Sequence, residues 1–171
     1  MFFVRHYFSL FTFFLIHIKL TRAMKFKMYT DGGARGNPGP AAVGVLICNE
    51  DNEGLHEYAE TIGEATNNIA EYRAFLAGLE QAGQLAVKLG ARASETELEC
   101  FLDSELVVRQ LQGKYKIKNY QLQKLYDQAK TAEREFAAIS YTHLRREANG
   151  MRLADQLVNH ALDTAERKSR R

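Results

Sequence analysis

Prolines and cysteines are scarce in this 171-residue chain, with two of each. Both prolines, Pro38 and Pro40, fall in one stretch, "TDGGARGNPGP", which also holds four of the twelve glycines. No proline-rich or low-complexity linker and no internal repeat interrupts residues 24–171, so that span reads as one domain long enough to bury a core. The cysteines, Cys48 and Cys100, sit in the apolar runs "VGVLICNE" and "ELECFLD". Their spacing excludes a cysteine metal site or a disulfide framework, and both read as reduced core residues. Charge excess is also missing. A net charge of +2 is too weak to establish a polyanionic partner, and any basic surface must be local.

A long hydrophobic run is absent too. The longest candidate, Phe8 to Ile18, is eleven residues and is broken by Ser9, Thr12 and His17. A helix needs ~20 residues to span a bilayer, so no stable membrane association is expected of 24–171. Residues 1–23 differ in composition from everything after them, and Met24 opens a well-patterned strand. We expect the domain to start at Met24, with the leader read from an upstream start codon. A targeting role ranks second, since no acidic residue precedes Asp31, although Thr21-Arg22-Ala23 makes a poor cleavage site; an anchor ranks third.

What is present is ordinary globular composition, 46% apolar and 26% charged, with clear periodicity. Residues 24–30 alternate as a strand, the glycine-rich turn follows, and 41–49 and 55–62 read as two more strands around the polar cluster "NEDNEG". From Asn68 the period becomes helical through Ile69, Tyr72, Leu76 and Leu79, with Gly90 near the end. A fourth strand covers 96–102, a short helix 103–112, a longer helix 120–135, a fifth strand 138–143 and a last helix 151–167. The order β-β-β-α-β-α-α-β-α implies an α/β fold, a mixed sheet covered by helices.

Four acidic residues stand at element ends or on an apolar helix face. Asp31 closes the first strand, where a turn aspartate bonding its own backbone would explain it. Glu71 follows Asn68 by three residues, as in a capping box, and Asp103 fits a plain N-cap. Asp155 resists such accounts, because Met151, Val158 and Leu162 are its helical neighbours and a lone carboxylate among them is costly. Asp163, by contrast, reads as solvated. If the strand ends carrying Asp31 and Asp103 are adjacent, the helices can add Glu71 and Asp155. Such a cluster must be neutralised by protons or by divalent cations, and oxygen ligands without His or Cys suit Mg²⁺ or Mn²⁺.

The stretches "YTDGGARGNPGPAAVG", "ATNNIAEYRAFLAGLE", "LDSELVVRQLQGKYKIKN" and "REANGMRLADQLVNHALD" together resemble type 1 ribonuclease H, especially its compact bacterial and archaeal forms. The resemblance spans 24–164 with four motifs in order. It implies a ribonuclease H-like fold: a five-stranded sheet, three antiparallel strands then two parallel, flanked by helices. It also implies an endonuclease cutting the RNA strand of RNA/DNA hybrids to 5′-phosphate and 3′-hydroxyl ends. Asp31, Glu71, Asp103 and Asp155 match the family's metal-binding carboxylates, which hold two Mg²⁺ ions, with Mn²⁺ as substitute. One ion activates water and the other stabilises the leaving oxygen, consistent with a metal pair ~3.5–4 Å apart.

By the same resemblance the turn from Gly32 to Pro40 lies against the hybrid's minor groove, and Asn37, Asn67 and Asn68 contact 2′-hydroxyls or bases there. Thr66 and Asn119 match positions holding a DNA-strand phosphate. Around Asn119, Lys114, Lys116 and Lys118 alternate with Tyr115, Ile117 and Tyr120 as a backbone-tracking surface. The family's long basic protrusion and separate hybrid-binding domain are missing, which implies modest, salt-sensitive affinity. The family's mobile histidine is missing as well; His143 reads as structural, and Arg145, Arg146 or Glu147 stands in its place. We expect a cytoplasmic monomer without a small-molecule cofactor, whose partner is the hybrid. The rival readings are a DNA nuclease or resolvase of the same superfold, opposed by the three asparagines, and a binding module without cleavage, opposed by the four acids. A phosphate-cradling loop is a weaker reading still, since the turn lacks the GK[ST] ending and a G-x-G-x-x-G spacing opening a helix.

Overall fold

A computed structural model describes residues 23–170, so residues 1–22 and Arg171 lie outside the described residues, and with them nearly all of the N-terminal extension. Five strands form one sheet: β1 (Met24–Ala34), β2 (Gly39–Cys48), β3 (Gly54–Ala65), β4 (Thr96–Leu102) and β5 (Ala138–His143). Four helices surround it: α1 (Asn67–Lys88), α2 (Glu105–Leu111), α3 (Tyr120–Ala132) and α4 (Asn149–Ser169). The strand order is β3-β2-β1-β4-β5. The first three strands pair antiparallel, while β1/β4 and β4/β5 are parallel, as the sequence implied.

β2 is buried at nearly every position because both its faces are covered, by α1 on one side and α4 on the other. β3 is the exposed edge and shows little buried surface. Beneath α1 lies the larger core, where Phe26, Met28, Tyr72, Phe75, Leu79, Leu98 and Leu102 meet. Under α4 the packing is thinner: Tyr29, Leu46, Met151 and Ala154 in one group, Ala42, Val158 and Leu162 in another. Cys48 and Cys100 are buried free thiols.

The glycine-rich stretch differs from the single turn expected. β1 continues through Gly32 and Gly33 to Ala34, β2 begins at Gly39, and the turn is only residues 35–38, closed by the Arg35 amide donating to the Pro40 carbonyl at 2.8 Å. Gly32 is a packing residue: a Cβ there would run into the backbone of Ala70 and Glu71. Gly44, opposite Asp31 in the ladder, does the same for α4, since a Cβ would strike the Ala154 carbonyl and Leu157. The two glycines thus let one helix on each face press against β1 and β2 beside Asp31.

The helix caps also differ. Thr66, not Asn68, caps α1, with its hydroxyl accepting from the Ile69 amide at 3.4 Å, so Glu71 has no part in a capping box. Ser104 caps α2 through the Val107 amide, which leaves Asp103 outside the helix. Asn119 caps α3, accepting from the Gln121 and Leu122 amides. α4 starts at Asn149, two residues earlier than its apolar stripe suggested.

Candidate active site

The parallel ladder between β1 and β4 ends at the pair Thr30 and Leu102. One residue further along each strand stand Asp31 and Asp103, so the notch where the sheet stops carries two carboxylates by construction. Glu71 enters from the second turn of α1 over Gly32, and Asp155 from α4. The freed caps explain why: with Thr66 and Ser104 occupying the helix amides, Glu71 and Asp103 are left facing one another's charge.

Burial separates the acids into two classes. Asp31 is 2% exposed and Glu71 8%, whereas the Asp103 and Asp155 side chains are half-buried. Oδ1 of Asp31 and Oε2 of Glu71 have no hydrogen-bond partner among the described residues. Burial pushes the Asp31 carboxyl up to about 6; Arg146 opposes this, while Asp155 and Asp103 add to it. Glu71 is raised well above its ordinary value, first by burial and then by Asp31 and Asp103. Asp155 does not face apolar neighbours alone, because Asn159 donates to its carboxylate at 3.1 Å.

Among the described residues no three His, Cys, Asp or Glu side chains converge as a ready cation cage. Arg146, on the loop between β5 and α4, stands between the acids instead. Its guanidinium lies 3.1 Å from Asp103, 3.4 Å from Asp155 and 3.8 Å from Asp31. The donor set nevertheless fits a hard divalent ion: four carboxylates, two of them with buried oxygens that accept no hydrogen bond, and no nitrogen or sulfur ligand.

Around this notch the asparagines form a small lattice. The Asn67 side-chain oxygen accepts from the Ala34 amide at 3.0 Å, and the Asn37 oxygen accepts from the Asn67 amide at 3.1 Å. These bonds tie the 35–38 turn to the start of α1. Asn37, Asn67 and Asn68 are exposed, as are Lys118 and Asn119, while Thr66 is half-buried and Gly32 buried. Arg35 anchors the turn's other side to Asp163 and Glu166 of α4, so Asp163 is paired rather than merely solvated. His143 ends β5 opposite Leu102. Sequence reasoning missed Gly44, Ser104 and Asn159. A glycine inside the β-branched run "VGVLI" was the available sign of close backbone approach, and Asn159 stands four residues from Asp155 on the same helix face.

A sheet of this order and pairing, with carboxylates at the end of β1 and β4, is the architecture of ribonuclease H-like proteins. Residues 29–161 match the family model described as reverse transcriptase-like. The chain is 45% identical over 143 residues to the "Bifunctional protein Rv2228c" of Mycobacterium tuberculosis, covering 83% of this chain and 36% of that protein. The solved N-terminal RNase H domain of that protein superposes with a TM-score of 0.74 at 42% identity, covering 85% of this chain and 99% of the domain. Ribonuclease HI of Halobacterium salinarum is 39% identical over 137 residues, 80% of this chain and 64% of its own length. LC11-RNase H1, isolated from compost by a metagenomic approach and solved in complex with an RNA/DNA hybrid, gives 43% identity and a TM-score of 0.73 over 82% of this chain and 98% of that one. The chain belongs to the type 1 ribonuclease H family. It spans about a third of the length of the mycobacterial relative and under two thirds of the halobacterial one.

Proposed function

We propose that residues 24–171 act as a divalent-metal-dependent endoribonuclease on the RNA strand of RNA/DNA hybrids, leaving 5′-phosphate and 3′-hydroxyl ends. The observation that carries this reading is the placement of Asp31 and Asp103 just past the end of the β1/β4 ladder, with Asp155 reached by the same Arg146 guanidinium and Glu71 over Gly32, two of the four being buried with oxygens that accept no hydrogen bond. Kinship with a protein solved on such a hybrid supports the substrate.

In this reading Asp31, Glu71, Asp103 and Asp155 hold two Mg²⁺ ions, with Mn²⁺ as substitute. Bound there, such ions lower the pKa of an attacking water and neutralise charge at the leaving oxygen. The chain supplies the rest. The buried acids keep their oxygens aimed and dry, Asn37, Asn67 and Asn68 offer amide donors to the minor groove, and Thr66, Lys118 and Asn119 hold the DNA-strand backbone. Thr66 and Asn119 do this as helix caps, where backbone N–H groups already favour an anion.

The test is incubation of the full chain with end-labelled RNA/DNA hybrid and, separately, DNA duplex, with Mg²⁺ or EDTA. RNA-strand cleavage that EDTA and Asp103→Asn both abolish is the expected result. Cleavage of DNA duplex, or near-wild-type activity in the variant, refutes the proposal.

A further inference from the structure

We infer that Arg146 is an exchangeable counter-cation: it occupies the carboxylate notch when divalent ions are absent and must leave for them to enter, so this chain tunes its own metal affinity. The inference rests on the metal reading above. Three acids that share no element with one another, Asp31, Asp103 and Asp155, are bridged by this single guanidinium. Its Nε also donates to Asp103 at 3.2 Å. It is therefore held by charge from several sides, and no other cation among the described residues pairs with these three acids.

Two features make the contact exchangeable. Arg146 remains 57% exposed while Asp31 behind it is 2% exposed, so it covers the notch from the solvent side rather than from within. It also belongs to the connection 144–148, whose backbone bonds among the described residues, Leu144 to Leu102, Ala148 to Arg145 and Arg152 to Ala148, do not involve Arg146 itself, leaving it without a ladder or helix to fix it. A doubly charged ion outcompetes a single, half-solvated guanidinium for such oxygens. By linkage, whatever Arg146 contributes to the metal-free fold it subtracts from metal affinity.

The experiment compares the full chain with Arg146→Gln and Arg146→Lys, by calorimetric titration with Mn²⁺ and by thermal unfolding in EDTA and in saturating Mn²⁺. We expect Arg146→Gln to bind Mn²⁺ at least about tenfold more tightly, a difference of ~1.4 kcal/mol. Its melting temperature should fall below wild type in EDTA and draw level in Mn²⁺, with Arg146→Lys closer to wild type in both. Equal Mn²⁺ affinity in all proteins, or an equal loss of melting temperature with and without metal, overturns the inference and leaves the metal site standing. Absence of Mn²⁺ binding in every protein overturns the metal reading and this inference with it.

Discussion

Inside β1, the end holding Phe26 and Met28 and the end holding Thr30 and Asp31 are equally buried and chemically opposite. Phe26 and Met28 enter the large apolar core with Phe75 and Leu79. A few residues on, Thr30 and Asp31 are as deeply enclosed, yet the Thr30 hydroxyl and one Asp31 oxygen lack hydrogen-bond partners among the described residues. Burial that stabilises the first end costs free energy at the second. The protein therefore keeps a strained electrostatic corner on a scaffold held together elsewhere, and substitutions at the two ends should move stability in opposite directions.

The largest effect is expected at the apolar end. Phe75→Ala should lower unfolding free energy in urea by about 3–5 kcal/mol, since the ring is fully buried. At the polar end Asp31→Asn should abolish cleavage and raise metal-free stability at neutral pH by up to about 3 kcal/mol, because it removes a buried charge. The pH dependence follows the same sign. A carboxyl raised to about 6 in the fold contributes stability that is present below about pH 4 and lost as pH rises through 6. Glu71 acts in the same direction. In EDTA, the advantage of Asp31→Asn over wild type should thus be absent at pH 4 and full at pH 7, and a constant difference would break the comparison.

Gly32→Ala, one residue beyond Asp31, should cost about 1–3 kcal/mol, since its methyl group must push back the Ala70 backbone. Cleavage should fall further, by about 100-fold, as Glu71 is displaced from Asp31. The smallest effect sharpens the contrast between buried and exposed charge. Arg35 pairs with Asp163 and Glu166 on the surface, and Glu166→Gln should leave the urea midpoint unchanged within error.

Much of this was legible in the chain. The alternation at 24–30 and the helical stripe of Tyr72 and Leu79 reflect periodicities that survive folding, and the strand at 96–102 ends where its pattern ends. Three of the four acids, Asp31, Glu71 and Asp103, were legible through motif order rather than through their own physics, since each had a local explanation; Asp155 alone stood out by its apolar helical neighbours. The cap explanations for Glu71 and Asp103 failed for a shared reason: a neighbouring hydroxyl, Thr66 or Ser104, took the cap. The extent of β1 was hidden because Gly32 and Gly33 signal a turn locally, while the contact that demands the glycine at 32 comes from Ala70, 38 residues away in sequence. The seat of Arg146 among three acids was illegible for the same reason, being set by three elements at once.

The paired asparagines have a directional consequence. The Asn37 and Asn67 oxygens each already accept a main-chain amide, while the NH₂ groups of both side chains stay unspent as donors. That patch greets lone pairs first, so a surface seated on it gains most by presenting acceptors at those two points.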